Sequence, residues 1–594
     1  MVSDDEEARG ADAAGADAAG VASRRDFLKA GGLAAAGLVV GGTVGAAAGA
    51  GIGHAAGYRE GALDYGALSP REVPGFDHVV VLMGENRSFD NLLGWLYTPD
   101  NLPEGETFDG LAFGDYSNPD PSGRRVSAHV YEGPTDIVMG LPNPDPGEEF
   151  PHVNTQLFGT VDPASNADLW VESMAPPYNA PAAGAAATME GFLKDYYINI
   201  ERARQGTPPE PFEADDIMGG FSPEMLPVLS TLAREFAVFD AWFAAVPSQT
   251  YCNRSFFHAS TSHGHVTNKH GGGYDKWLDA PAAPTIFNRL DEAGVSWKVY
   301  YDEQQLVSLT GVIHAPVLET QWRTKHFGFM SEFYEDAKNG DLPAYAFIEP
   351  RLVYNHNDFH PPFGVFRTSQ VDGRPVLDSA VSDVRAGEAL VADVYNAVRK
   401  SATPDGSNAL NTLLLITFDE HGGTYDHVPP PSATPPDADA PPGEMGFGFD
   451  RLGARVPAIA VSAYTRAGTI VHDEMHHGSV IATLCRQHGL RPLTRRDAGA
   501  NDLSPVINLQ TPRDPRLWPD VHPMYVPANP EASNAPDPSQ HPHRDKPLSP
   551  PGKGLVGMLL ARYGDGTEPE PETYADAYRV LQQHGLGLFY PKLA

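Results

Sequence analysis

The chain has 594 residues, of which 41% are hydrophobic and 20% are charged. These proportions are typical of globular proteins and exclude a collagen, a coiled coil or wholesale disorder. Lys and Arg number 42 against 77 Asp and Glu, a net charge of −35, which argues against nucleic acid as a partner. The two cysteines, Cys252 and Cys485, allow at most one disulfide and are too few for a thiolate zinc site.

Residues 1–58 carry the pattern of an export signal. Arg24-Arg25 precede a weakly hydrophobic run rich in Gly and Ala, Leu33–Ala50, and no Asp, Glu, Lys or Arg occurs between Lys29 and Arg59. Paired arginines before such a run resemble a twin-arginine signal, which predicts export and a place outside the cytoplasm. The run is also long enough to span a bilayer, so an uncleaved transmembrane anchor is the alternative.

Residues 75–497 alternate short apolar runs with amphipathic segments, which predicts an α/β domain. Four apolar runs are predicted to be buried strands: His78–Met83, Val238–Val246, Thr412–Phe418 and Val456–Ser462. Ligands bind at the carboxyl ends of strands in α/β sheets, so we expect functional groups directly after these runs. Asp378–Lys400 has apolar residues at helical spacing and is predicted to be an amphipathic helix.

Residues 498–594 are predicted to form a Pro-rich linker and a C-terminal helical appendage. Pro429–Pro442 and Pro527–Pro551 are rich in Pro, Asp, Ala and Ser and indicate loops or linkers. Gly554–Tyr563 and Tyr574–Leu588 are the two segments that could form helices docked on the main body.

The segment after the third predicted strand gives the strongest local signal. Asp419-Glu420-His421 is followed by Gly422-Gly423 and, four residues later, by His427. Adjacent carboxylates at a buried strand end repel each other unless a cation or a proton relieves them. Together with two histidines and a flexible Gly pair, they favour a metal or phosphate pocket over a solvated acidic turn.

Glu85 and Asn86 follow the first predicted strand in the same way. A carboxylate and an amide there offer two oxygen ligands to a hard cation. The alternative is a turn in which Asn86 or Ser88 caps the next helix.

A hydroxyl group follows the second predicted strand. Thr250 stands where a helix would begin, and the partial positive charge of a helix N-terminus favours an alkoxide and an anionic phosphate. Arg254 could bind phosphate oxygens as a fork, and Asn253 could donate to another. An ordinary turn and cap is the alternative, whereas a thiol nucleophile at Cys252 has no local signature.

Two further loops bring histidines to this set. Asn357-Asp358-Phe359-His360 presents a carboxylate and an imidazole, and His476-His477 precedes an apolar helical stretch. A single surface histidine is more often solvated than catalytic, and His152 gives a weaker signal still.

Taken together, these motifs resemble the phosphoesterase family of bacterial phospholipases C and acid phosphatases, and most of all the plant-type non-specific phospholipases C. Asp145-Pro146-Gly147, Met218–Thr250 and Phe447–Pro457 match as well, and the resemblance runs in order from about Phe76 to Asp497. It implies an alkaline-phosphatase-like three-layer αβα sandwich with a mixed central sheet.

The resemblance also implies roles for individual residues. Thr250 stands at the position of the nucleophile and would form a phosphothreonine intermediate. One divalent cation, of unspecified identity, would be bound by Glu85, Asn86, Asp419 and Glu420. His360 and His477 would face the phosphate, one of them protonating the leaving oxygen. The remaining candidates for substrate binding are Asn253, Arg254, Asp358, His421 and His427.

Two departures affect what can be carried over. The family often has Pro where this chain has Cys252, and plant-type members commonly have His where this chain has Glu148. Either His152 takes over that role or the substrate subsite differs.

We therefore expect phospholipase C-type cleavage of phospholipids, with transient contact to a membrane surface. A phosphomonoesterase acting on small soluble phosphates and a non-catalytic surface protein are the alternatives. The sequence leaves the oligomeric state open.

Overall fold

The computed structural model describes residues 65–133, 138–303, 305–353, 356–362, 364–371, 374–379, 384–524 and 544–589. The predicted export signal over residues 1–58 lies outside this set and stays a prediction. Within these residues, no helix combines the length and the apolar character that crossing a bilayer requires.

Among the described residues, eight strands form the central sheet. They are β1 His78–Gly84, β2 Ala237–Phe239, β3 Trp297–Tyr301, β4 Phe327–Phe329, β5 Tyr345–Ile348, β6 Thr412–Phe418, β7 Ala458–Val461 and β8 Thr469–Val471. Their order is β8-β2-β7-β6-β1-β5-β3-β4. β7 is antiparallel to β6 and β2, and the other neighbours are parallel, so the predicted mixed sheet is confirmed.

β1 lies in the middle of the sheet, and its burial on both faces accounts for its continuous apolar run. Val81 pairs with Leu415 of β6 on one side and with Phe347 of β5 on the other. A strand that is covered on both faces needs apolar side chains at every position rather than at alternate ones.

Four smaller two-stranded sheets accompany the central one. They pair Ser117–Pro119 with Arg125–Ser127, His129–Val130 with Gly219–Gly220, Trp242–Phe243 with Met475–His476, and Gly364–Val371 with Arg374–Ser379.

Helices cover the sheet in two layers. The helices that carry labels here are α1 Phe89–Leu93, α2 Phe150–Phe158, α3 Phe192–Ala203, α4 Pro227–Glu235, α5 Thr250–Ala259, α6 Ile286–Ala293, α7 Met330–Asn339, α8 Val384–Arg399, α9 Gly478–His488, α10 Pro550–Tyr563 and α11 Tyr574–Val580. Shorter helices span Pro211–Asp215, Asp275–Leu278, Leu309–Ile313, Ala315–Leu318 and Arg495–Ala498.

Alternation along the strands separates the two layers. Trp297 of β3 and Tyr345 of β5 pack on Phe287 of α6, whereas Tyr300 of β3 packs on Phe333 of α7. Helices α4 and α7 both contact α8 in one layer, and α6 and α9 contact α5 in the other. This arrangement is the predicted three-layer αβα sandwich.

Two predicted segments are shorter than expected. The run Val238–Val246 is broken at Asp240, whose carboxylate accepts the N–H of Asp109 at 3.0 Å, so that β2 ends at Phe239. The helix predicted over Asp378–Lys400 begins only at Val384, because Asp378 and Ser379 pair in a hairpin with Val365 and Gly364.

The direction of β7 corrects a further expectation. We expected all four predicted strands to end at the ligand edge, but β7 runs against β6, with Ala458 opposite Thr417 and Val461 opposite Leu414. The amino end of β7 therefore lies at the ligand edge and brings Arg455 there. The carboxyl end of β7 lies at the opposite edge, where the parallel strands begin.

Helix α10 begins inside the segment predicted as linker and packs beside the predicted nucleophile. Ser549 caps α10, because its hydroxyl accepts the N–H of Gly552 at 3.2 Å. The helix then passes over Tyr251, the neighbour of Thr250, so closely that a Cβ atom at Gly554 would lie 2.2 Å from the Tyr251 hydroxyl.

We predict that Gly554→Ala lowers the free energy of unfolding by about 1–3 kcal/mol, because the buried Tyr251 ring has no room to move away. Chemical denaturation measures the loss. Gly499→Ala is the matched control, since a Cβ there comes no closer than 3.7 Å to the Arg495 carbonyl oxygen. Equal effects of the two variants would contradict the close packing of α10.

Glu388 of α8 is a buried carboxylate that caps a neighbouring helix. It accepts the N–H groups of Val228 at 3.0 Å and of Leu229 at 2.7 Å, in the first turn of α4. Those N–H groups have no partner within their own helix. Burial raises the pKa of Glu388 to about 8, although the two hydrogen bonds favour the charged form.

We predict that this carboxylate makes the protein less stable as pH rises from about 4.5 to 8. In that range the folded chain holds the Glu388 proton more tightly than the unfolded chain does, so the free energy of unfolding falls with rising pH. Glu388→Gln should flatten the dependence of melting temperature on pH, while the exposed control Glu224→Gln should not. The same slope in both variants would contradict the assignment.

Candidate active site

The ends of β1 and β6 hold the predicted acidic residues side by side. Asp419 Oδ1 accepts the N–H of Asn86 at 3.1 Å and that of Glu420 at 2.8 Å. The Arg87 N–H donates to the Glu420 carbonyl at 3.1 Å. Ser88 caps α1 through the N–H of Asn91, so the turn alternative holds for Ser88 while Glu85 and Asn86 belong to the site.

The Gly pair after β6 allows three segments to meet. Gly422 and Gly423 have φ angles of 60° and 67°, in the left-handed region that favours glycine. A Cβ at Gly422 would lie 2.2 Å from the Asn86 carbonyl oxygen, and one at Gly423 would lie 2.4 Å from that of Gly147. Two glycines are therefore needed for this loop to contact both neighbours.

Thr250 is the first residue of α5, and its hydroxyl donates to Glu85 Oε2 at 3.2 Å. Both side chains are completely buried. The structure thus brings the predicted nucleophile and a predicted metal ligand into contact at a helix N-terminus, whose partial positive charge favours an anion.

Arg254 lies one turn further along α5 and faces the same carboxylates. Its Nε donates to Glu85 Oε1 at 2.9 Å and lies 3.7 Å from Asp419 Oδ2. Its Nη1 is buried and has no hydrogen-bond partner among the described residues. That nitrogen is available to donate to a phosphate oxygen.

Asn253 holds the turn that leads into α5. Its Nδ2 donates to the carbonyls of Ser248 at 2.6 Å and Val246 at 3.2 Å, and its Oδ1 accepts the Val246 N–H at 3.0 Å. These contacts position the backbone in front of Thr250. A direct contact between Asn253 and substrate stays a prediction.

Negative charge is concentrated around this turn. Burial, more than any other cause, raises the pKa of each carboxyl group in the set Glu85, Asp145, Glu148, Asp419 and Glu420, and that of Glu148 to about 8. Arg254 opposes the shift at Glu85 and Asp419. The set therefore has more carboxylates than cationic side chains to balance them.

Several oxygens of this set are ready to bind a cation. Around this turn, four buried side-chain oxygens have no hydrogen-bond partner among the described residues: Asn86 Oδ1, Asp145 Oδ1, Asp419 Oδ2 and Glu420 Oε1. A buried polar atom without a partner is costly, and hard divalent cations prefer carboxylate and amide oxygens. The residues predicted as metal ligands therefore fit a divalent cation.

In the part of the chain that the structure describes, two groups of three His, Asp or Glu side chains have ligand atoms that all lie within 4.8 Å of one another. One is Asp145, Glu148 and His360, and the other is Asp90, Asp426 and His427. Neither contains Glu85, Asp419 or Glu420, so the predicted metal set is a looser arrangement beside the first group.

The group around His427 already contains a cation. Arg455 donates through Nη2 to Asp90 and through Nε to Asp426, both at 2.9 Å. Although burial lowers it, the carboxylates of Asp90 and Asp109 raise the pKa of His427 to about 9. His427, predicted to bind substrate, is engaged here in an ion network.

His360 is oriented by its own loop. Its Nδ1 donates to the Pro361 carbonyl at 2.6 Å, and its Nε2 lies 3.8 Å from Asp145 Oδ2. Asp358 supports the loop by accepting the His360 N–H at 3.1 Å and the His356 ring at 2.8 Å. Asp358 thus acts on the loop that carries His360.

His477 and His421 make contacts at the end of β6. His477 Nε2 donates to the Asp419 carbonyl at 2.5 Å, and Trp242 Nε1 lies 3.5 Å from His477 Nδ1. His421 Nε2 hydrogen-bonds Gln156 at 2.9 Å. Burial lowers the pKa of His477 to about 4 and that of His421 to about 3, so both rings are neutral.

Sequence reasoning noted Glu148 as a departure but did not assign it a place in the site. Its carboxylate accepts hydrogen bonds from Asn86 Nδ2 and, at 3.4 Å, from Gln249 Nε2. His152, which could have taken over the role, instead hydrogen-bonds Asp195 at 2.8 Å. The signal that could have revealed Glu148 as a site residue was its spacing, since it lies three positions after the acidic Asp145.

The two cysteines lie outside this chemistry. Both are buried free thiols. Burial raises the pKa of Cys485 to about 11 and shifts that of Cys252 further upward, so neither is a thiolate at neutral pH.

Comparisons with known proteins agree with this geometry. The Phosphoesterase family matches residues 76–491. Non-specific phospholipase C1 of Arabidopsis thaliana is 33% identical over 466 residues, which cover 75% of this chain and 73% of that protein. Phospholipase C B of Mycobacterium tuberculosis is 25% identical, covering 76% and 81%.

The chain therefore belongs to the Phosphoesterase family and is a phosphoric ester hydrolase. Among solved structures, a protein in the alkaline phosphatase superfamily from Vibrio parahaemolyticus is similar with 13% identity and a TM-score of 0.27. That alignment covers 47% of this chain and 64% of that one.

Proposed function

We propose that this protein is an exported phospholipase C-type enzyme that cleaves the glycerol–phosphate bond of phospholipids, releasing diacylglycerol and a phosphorylated headgroup. The observation that carries the proposal is the Thr250 hydroxyl, which contacts Glu85 beside buried oxygens that lack partners. The names of the plant and mycobacterial relatives support a phospholipid substrate.

The reaction would proceed in two displacements. Thr250 Oγ1 attacks phosphorus, its proton leaves toward Glu85 Oε2, and the bond from phosphorus to the glycerol oxygen breaks. The leaving oxygen takes up a proton from His360 or from solvent, because the Nε2 proton of His477 is donated to the Asp419 carbonyl. The intermediate is a phosphothreonine that still carries the headgroup, and water hydrolyses it to release the phosphorylated headgroup and restore the Thr250 hydroxyl.

Charge on the phosphoryl group would be balanced from two sides. Arg254 Nη1 and the N-terminus of α5 face it from one side. Glu85, Asn86, Asp419 and Glu420 would hold a divalent cation, which lowers the pKa of the Thr250 hydroxyl and neutralises the phosphoryl oxygens.

A phosphomonoesterase acting on small soluble phosphates is the second candidate. It is favoured by the complete burial of Thr250, Glu85 and Asp419, which suits a small ester better than a bilayer-bound lipid. The net charge of −35 also disfavours docking on an anionic membrane. Turnover of phosphatidylcholine vesicles compared with p-nitrophenyl phosphate separates the two, and activity on the second substrate alone would contradict the lipase proposal.

We predict that Thr250→Val, which keeps the shape but removes the hydroxyl, lowers kcat by about a thousandfold or more on any hydrolysed ester. Thr250→Ser is the matched control and should retain most of the activity. Acid quenching during turnover should leave a phosphoryl group on the peptide that contains Thr250, with the headgroup still attached when the substrate is a phospholipid, and mass spectrometry detects it. Unchanged hydrolysis by Thr250→Val would rule out this nucleophile.

Export by the twin-arginine route rests on Arg24-Arg25 and the run that follows them. We predict that replacing both arginines by lysine keeps the protein in the cytoplasm of an expressing bacterium, as cell fractionation would show. Arg9→Lys, outside the pair, is the control. Equal export of both variants would contradict the route.

A further inference from the structure

We propose that Asp145, Glu148 and His360 bind a second divalent cation, next to the one held by Glu85, Asn86, Asp419 and Glu420. The inference deepens the proposed function and rests on it only for the role of the cation in catalysis. The ligand atoms of the three side chains all lie within 4.8 Å of one another, and all three are buried. Two segments supply them, the loop before α2 and the loop after β5.

His360 presents the correct nitrogen for coordination. Its Nδ1 donates to the Pro361 carbonyl at 2.6 Å, which places the lone pair on Nε2. Nε2 is the atom that lies 3.8 Å from Asp145 Oδ2. A hydrogen bond from the other ring nitrogen is the usual way in which proteins orient a metal-binding histidine.

Glu148 is held in place by two amide groups. Gln249 Oε1 accepts the Asn268 N–H at 2.7 Å, which fixes the orientation of this amide and turns its Nε2 toward Glu148. Asn86 Nδ2 donates to the other carboxylate oxygen. Each oxygen then keeps a further lone pair, so the carboxylate can accept from the amides and still bind a cation.

Asp145 supplies a buried carboxylate oxygen, and the neighbouring groups do not fully offset the cost of burying it. Its side chain is 5% exposed, and Oδ1 has no hydrogen-bond partner among the described residues. The comparison with Asp90, Asp426 and His427 is informative, because there Arg455 neutralises both carboxylates at 2.9 Å. Near Asp145, the charge of Arg87 opposes the rise in the Asp145 pKa but does not cancel it, and the guanidinium donates to Asn91 and to the carbonyls of Leu141 and Phe359.

The two cation sites share Asn86. Its Nδ2 contacts Glu148, so its Oδ1 is turned away and, having no partner among the described residues, is available to the first cation. Two cations beside one phosphoryl group would neutralise both its attacking and its leaving side.

Counting bound metal tests the proposal without an activity assay. Protein stripped with a chelator is dialysed to equilibrium against Mn²⁺, and the bound metal is measured by mass spectrometry. We expect about two equivalents per chain for the unmodified protein and about one for Glu148→Gln and for Asp145→Asn. Glu149→Gln is the matched control, because this neighbour lies outside the group, and it should keep both equivalents.

Circular dichroism checks that the variants are folded, and Asp145→Asn serves as the second variant if Glu148→Gln is not. About one equivalent in the unmodified protein would overturn the proposal, as would loss of both or of neither equivalent in the folded variants. Two equivalents in a protein that does not hydrolyse phosphatidylcholine would leave the second site standing and reject the lipase function.

Discussion

Mutual repulsion among buried carboxylates at the ends of β1 and β6 is the constraint on which the rest of this structure depends. Glu85, Asp419 and Glu420 lie at these ends, Asp145 and Glu148 lie in the loop before α2, and Arg254 and Arg87 balance only part of their charge. Such a cluster is costly unless cations or protons accompany it. Gly422-Gly423 allow the loops to approach each other, and the amides of Asn86 and Gln249 hold Glu148 in place.

Four strands of the described sheet could be predicted from sequence because their long apolar runs are buried on both faces. The shorter strands β3, β4, β5 and β8 were not predicted. The bounds of β6 match the predicted run, and β1 exceeds its run by one residue. The direction of β7 could not be predicted, because an apolar run carries no sign of which way it crosses the sheet. Asp240 interrupts the second run, and its carboxylate binds the N–H of Asp109, which is far away in sequence. A contact of this kind cannot be predicted from the local pattern.

The candidate site shows the same division. Thr250, Glu85 and Asp419 each follow an apolar run, and that pattern is sufficient to place them at one edge of the sheet. The contacts of Asn253 and His427 could not be predicted from sequence. Asn253 binds backbone carbonyls of the turn before α5, and His427 belongs to the ion network around the buried Arg455. Glu148 was visible only as an unusual residue until the contact with Asn86 gave it a position.

The state of the two thiols bears on which ions the protein would select from its surroundings. Cys252 and Cys485 are buried and protonated, so neither offers the soft sulfur donor that attracts copper(I). The donors at the site are oxygens and imidazole nitrogens. A choice among magnesium, calcium, manganese and zinc would therefore depend on coordination number and cavity size rather than on a thiolate ligand.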